Sequence, residues 1–154
     1  MARLAAPGQF LVTGGHPGDR LAVRYDVGDG TSVRMADMAH PRNMHGCSLV
    51  RNETFVGVLV AGGDGPDNYP VDSSELLDLA TGAWREVGPL AVAKDTVKIV
   101  VLKERILAVG GAGPGVEEFS LATLTWSVTD NLVTDRQYHA VAELPENMFN
   151  CQGR

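Results

Sequence analysis

FLVTGG at residues 10–15, GVLVAGG at 57–63 and RILAVGG at 105–111 are three copies of one device, a short apolar run that ends in a glycine pair. Gly14 to Gly62 and Gly62 to Gly110 are each 48 positions apart. A constant interval of this size is the signature of repeat architecture. A polar loop follows each pair, then a strand-like stretch, a turn and a further apolar or aromatic position. These stretches read RLAVRYDVGDGTSV at 20–33, SSELLDLATGAW at 73–84 and GVEEFSLATLTW at 115–126. The last two superimpose without a gap as LDLATGAW over FSLATLTW. Between one unit and the next glycine pair lies an approach segment, PRNMHGCSLV at 41–50 and AKDTVKIVVL at 93–102. A third approach segment, DRQYHAVAEL at 135–144, has no glycine pair after it.

Four short strands fit each period: the approach segment, the run into the glycine pair, the strand after the loop, and a last short strand. That is what a propeller blade requires. A helical solenoid has a similar period but fails locally. The segments are short and rich in Val and Leu, and GDGP, GAGPG and TG break them too often for 12-residue helices. A glycine pair at a strand end lets neighbouring backbones approach closely and permits a positive φ where the chain leaves the sheet. Trp84 and Trp126 follow equivalent turns and are predicted to pack between adjacent sheets.

The remaining composition agrees with a soluble all-β chain. Its 154 residues suffice for one domain that buries ~70% of the surface of the unfolded chain. Hydrophobic residues make up 44% and charged residues 21%, with 18 Gly and 8 Pro, a balance that argues against disorder and against a helical bundle. Net charge is −6, which leaves no general attraction to nucleic acid or to anionic membrane surfaces. The apolar runs fall far short of the ~20 residues of a spanning helix, and MARLAAPGQFLV does not read as a secretory signal. Cys47 and Cys151 form neither a disulfide framework nor a metal knuckle, so two reduced thiols and a cytoplasmic location are expected.

These landmarks resemble the kelch repeat: a glycine pair, a Tyr-Asp-like strand end, a Trp after a turn, and an Arg-x-x-His start of the next blade. The first unit supplies Gly14-Gly15, Tyr25-Asp26 and Arg42-x-x-His45. The second supplies Gly62-Gly63, Leu77-Asp78, Trp84 and Lys94-x-x-Val97; the third supplies Gly110-Gly111, Phe119-Ser120, Trp126 and Arg136-x-x-His139. Two departures stand out. The first unit has Ser32 or Val33 where a Trp belongs, and Lys94-x-x-Val97 replaces Arg-x-x-His. The resemblance implies an all-β, kelch-type β-propeller segment of about three four-stranded antiparallel blades, with terminal strands available to close a ring. Blade one takes strands within 9–35, with 137–144 as the closing strand; blade two spans 44–88, blade three 95–130, and 145–154 is a C-terminal tail. Propellers have 4–8 blades. The chain is therefore either a piece of a longer propeller or half of a six-bladed ring made by two copies that exchange terminal strands.

The resemblance also implies function: a protein-interaction module, in the manner of kelch domains that recruit substrates to cullin ubiquitin ligases. A cytoskeletal, actin-binding scaffold is the alternative. The loops after the glycine pairs and between blades emerge on one face, and loops on a rigid scaffold commonly carry recognition. They contain His16, Arg20, Asp64, Asp67, Asn68 and Tyr69, with Arg42, Asn43, Lys94 and Arg136 between blades. Repeat symmetry would set Arg42, Lys94 and Arg136 around one channel mouth, where they would grip an acidic peptide. The competing reading pairs each cation with an acidic side chain or a backbone carbonyl of the next blade. His45 and His139 read as hydrogen-bonded structural residues, and Tyr25 as a core residue. No cofactor is expected. Some kelch proteins are copper radical oxidases, but the Tyr, His and Cys residues of this chain do not fall on that pattern, and no enzymatic activity is expected.

Overall fold

A computed structural model describes residues 8–17 and 19–144. Within them the chain is all-β, eleven strands in three antiparallel sheets, each a simple meander. The first sheet contains β1 (Gln9–Thr13), β2 (Ala22–Asp26) and β3 (Ser32–Arg34). The second contains β4 (Gly46–Arg51), β5 (Val56–Ala61), β6 (Ser74–Asp78) and β7 (Trp84–Val87). The third contains β8 (Lys98–Leu102), β9 (Arg105–Val109), β10 (Gly115–Ser120) and β11 (Thr125–Asn131). No helix among the described residues is long and apolar enough to cross a membrane.

The repeat seen in the sequence is a repeat of hydrogen bonds. The turn after β2, β6 and β10 closes in the same way each time: Gly30 N–H donates to the Asp26 carbonyl, Gly82 to Asp78 and Leu124 to Ser120. The donor residue has positive φ in all three. Glycine takes that conformation freely, whereas Leu124 is held in it by partial burial against the core.

The sheets stack face against face. Leu59, Leu76 and Val50 of the second sheet meet Ile99, Ile106 and Phe119 of the third in the larger core cluster. A smaller cluster joins Val58, Val60 and Leu77 to Met38 and to Leu11 of the first sheet. The two tryptophans lie half-buried in these seams. Each indole N–H reaches back to the preceding unit, Trp84 to the Ala36 carbonyl and Trp126 to the Ser74 hydroxyl. Packing and a satisfied polar atom thus coincide, as a buried Trp requires.

Two expectations need correction, and a third lies outside the described residues. Residues 137–144 form no strand; the segment follows an isolated bridge between Arg136 and Gly111, and within it His139 packs against Gly110. A strand needs a neighbouring edge to bond, and none is beside it. Among the described residues β1 therefore pairs only with β2, and its other edge is open. Tyr25 is not a core residue: it stacks on Phe10 with ring centroids 5.1 Å apart, on a face of the first sheet that is partly exposed. The predicted tail, 145–154, lies outside the described residues.

Candidate functional site

The glycine pairs explain how one unit is fastened to the next. Gly15 N–H donates to the Arg42 carbonyl at 3.1 Å, Gly63 to Lys94 at 2.8 Å and Gly111 to Arg136 at 2.7 Å. The same three carbonyls lie where a Cβ on the first glycine would stand, at 2.3 Å for Gly14, 2.5 Å for Gly62 and 2.7 Å for Gly110. Any side chain there would strike the oxygen. All six glycines also have positive φ. Each glycine pair is therefore a socket for the carbonyl of the next junction's basic residue.

The side chains at these junctions point to a different use from the one expected. Arg42 is wholly buried. Its guanidinium donates to the Gly62 and Ser73 carbonyls, to the Ser73 hydroxyl and, at 2.8 Å, to Glu75. Glu75 in turn accepts the N–H groups of Ala39 and His40. Lys94 is 2% exposed; its Nζ donates to the Gly115 carbonyl and lies 3.2 Å from Glu117, which accepts the Ala91 N–H. A buried cation is tolerated only when paired and hydrogen-bonded, and both are. Arg42 and Lys94 therefore fasten adjacent sheets and do not line a channel mouth, which corrects the three-cation ring. Asn43 is buried beside them, its backbone paired in both directions with Asp64. Arg136 alone is exposed.

His45 lies at the first junction, its Nε2 2.8 Å from the Thr13 hydroxyl on β1. Burial, with Arg42 and Lys98 nearby, lowers its pKa to about 4, so the ring is neutral and structural, as expected. His139 packs against Gly110 with both ring nitrogens unpartnered, so the expected hydrogen bond is absent there.

What remains exposed at this end is a rim of loops. Asp19 bridges to Arg42, Asn43 to Asp64, Asp64 to Pro70 and Gly111 to Arg136, so successive loops are knitted by backbone contacts. The 64–72 loop is closed by Gly65 N–H to the Tyr69 carbonyl and Val71 N–H to Gly63. His16, Arg20, Asp67 and Asn68 are exposed along the rim, and Tyr69 is 70% exposed. Asp64 is held above the ordinary carboxylate range by partial burial first, then by Asp95 and Asp67. Three carboxylates thus share this part of the rim, with the nearby cation Lys94 already engaged by Glu117.

A concavity of about 320 Å³ lies between the first two sheets, lined by Phe10 and Leu11 of β1, Met35, and Cys47 and Leu49 of β4. It adjoins the open edge of β1. In the other sheets the equivalent edge is occupied by β4 and β8. Among the described residues, no three His, Cys, Asp or Glu gather into a metal-holding group. Sequence reasoning missed Glu75 and Glu117. Their signal is positional: each stands two residues before the strand-end pair, Leu77-Asp78 or Phe119-Ser120. Comparison with protein-family models gives no match, and comparison with curated proteins gives no relative.

Proposed function

We propose that the three sheets are consecutive blades of a kelch-type propeller, and that the chain is a protein-interaction module whose partner meets the loop rim. The carbonyl sockets, which recur three times in phase, support the repeat. The observation that carries the functional reading is the division of charge at this end. Arg42 and Lys94 are neutralised inside the sheets, while Asp64, Asp67 and Asp95 cluster at the rim beside the exposed ring of Tyr69. Such a surface suits a polar peptide carrying lysine or arginine, with its cations among the carboxylates and an aliphatic stem on the tyrosine. Substrate recruitment to a ubiquitin ligase is one setting for such a module, and the resemblance points there.

Fluorescence anisotropy with labelled lysine-rich and glutamate-rich peptides tests this reading. The lysine-rich peptide should bind and weaken with salt. Asp67→Asn and Tyr69→Ala should each reduce binding several-fold without shifting the melting temperature. Preference for the glutamate-rich peptide, or binding indifferent to both substitutions, would overturn it.

A further inference from the structure

Residues directly opposite one another in an antiparallel pair share a face of the sheet. In the second sheet Val58 stands opposite Leu77 and Val60 opposite Glu75. In the third, Ile106 is opposite Phe119 and Ala108 opposite Glu117. In the first, Phe10 is opposite Tyr25 and Val12 opposite Val23. The register makes these three sets equivalent. Each is the face that receives the preceding unit. In the second and third sheets it is buried and holds a carboxylate for the cation of the preceding junction. In the first sheet it carries Val23 at that place, and Phe10 and Val12 are about half exposed.

The opposite end of the stack shows the complementary half. Arg136 repeats the backbone fastening of Arg42 and Lys94, with its carbonyl seated in the Gly110-Gly111 socket. Its side chain has no carboxylate among the described residues. Val133, which stands where Ala39 and Ala91 give their N–H groups to Glu75 and Glu117, is fully exposed.

We propose that the Val133–Arg136 end is a docking surface for a β-sheet that presents a carboxylate on its third strand, at the register of Glu75 and Glu117. This surface is distinct from the loop rim and the inference does not depend on what the rim binds. The first sheet of a second copy has the equivalent strand, β2, but the wrong residue on it. Docking there would bury the Arg136 guanidinium against Val23, with nothing to compensate the charge. The two ends of the described stack are therefore mismatched, which opposes its head-to-tail stacking on identical copies, an assembly that would otherwise grow into rings or filaments.

One substitution turns the chain into the partner it lacks, so the probe is the Val23→Glu variant of this same protein. Sedimentation velocity over a concentration series should show the unsubstituted chain associating weakly. Val23→Glu should associate at roughly tenfold lower concentration or less, and adding Arg136→Leu to it should abolish the gain. Circular dichroism checks that the variants fold. Should Val23→Glu not fold, Arg136→Leu alone decides, because removing the stranded cation should also strengthen self-association several-fold. Equal association of the unsubstituted chain and Val23→Glu would overturn the proposal, as would a gain that survives Arg136→Leu. So would the absence of any gain in Arg136→Leu, where that variant decides.

Discussion

The two closed junctions do the same task with different cations. At the first, the Arg42 fork divides its donors among two carbonyls, a hydroxyl and Glu75, and the carboxylate also receives two backbone N–H groups. At the second, Lys94 gives one hydrogen bond, to Gly115, and faces Glu117 as a point charge; Glu117 receives one backbone N–H. Arginine's planar fork satisfies several acceptors at once, which an ammonium group cannot do in a fixed direction. The first junction also contains His45 where the second has Val97, so only the first carries a titratable ring on its incoming strand. Equivalent positions in a repeat thus share backbone geometry while differing in how strongly, and at what pH, they hold.

The largest effect should come from breaking the stronger pair. Glu75→Gln leaves a fully buried guanidinium without a counter-charge and should lower stability by about 3–5 kcal/mol, read from urea unfolding. A loss within the range of an ordinary surface substitution would mean that Arg42 relaxes into solvent, and the first junction would then be no tighter than the second.

His45 separates the junctions by pH. Its folded-state pKa of about 4 lies below the ordinary histidine value of 6.5, so the unfolded chain binds the additional proton between these values. Stability from this residue is complete above pH 6.5 and is lost as pH falls toward 4, a change of about 3 kcal/mol. His45→Val, which copies the second junction, should flatten that slope relative to the unsubstituted chain. Parallel slopes would place the acid sensitivity elsewhere, for example in Asp26 and Glu118, whose pKa values are lowered by Gln9 and by Arg105 respectively.

Much of this was legible in the sequence because backbone demands are strict. A carbonyl that sits 2.3–2.7 Å from where a Cβ would stand admits only glycine, so the three pairs survive in phase while the residues between them vary. The basic residue of each junction was legible from its place near the start of the repeated approach segment, PRNMHGCSLV, AKDTVKIVVL or DRQYHAVAEL. Its carboxylate was not. Glu75 lies 33 positions after Arg42 and Glu117 only 23 after Lys94, because both the stretch from the cation to the glycine pair and the loop after the pair are longer in the first case. Within SELLD and GVEEFS each acid reads as an ordinary solvent-facing residue of a strand, since sequence alternation does not reveal that both faces are covered. The segment 137–144 failed for a related reason. It has the composition of an approach strand, but whether it becomes one depends on an edge the sequence does not announce.

The smallest effect should appear at the second junction, and it tests whether the number of bonds, and not burial alone, sets the difference. Lys94 and Glu117 are about as inaccessible as Arg42 and Glu75, so a penalty fixed by burial would make Glu117→Gln as damaging as Glu75→Gln. The geometry argues otherwise. Lys94 keeps its bond to the Gly115 carbonyl at 2.7 Å after the substitution, and the amide oxygen of Gln can still accept the single N–H of Ala91 at the site of Oε2. What is lost is one charge contact at 3.2 Å, and the amide N–H₂ that takes the Oε1 site then faces the ammonium as a second donor. We expect a loss of about 2 kcal/mol for Glu117→Gln, measured under the same conditions as Glu75→Gln. Equal losses would show that the desolvated cation dominates both junctions, and the fork geometry of Arg42 would then contribute specificity of register rather than strength.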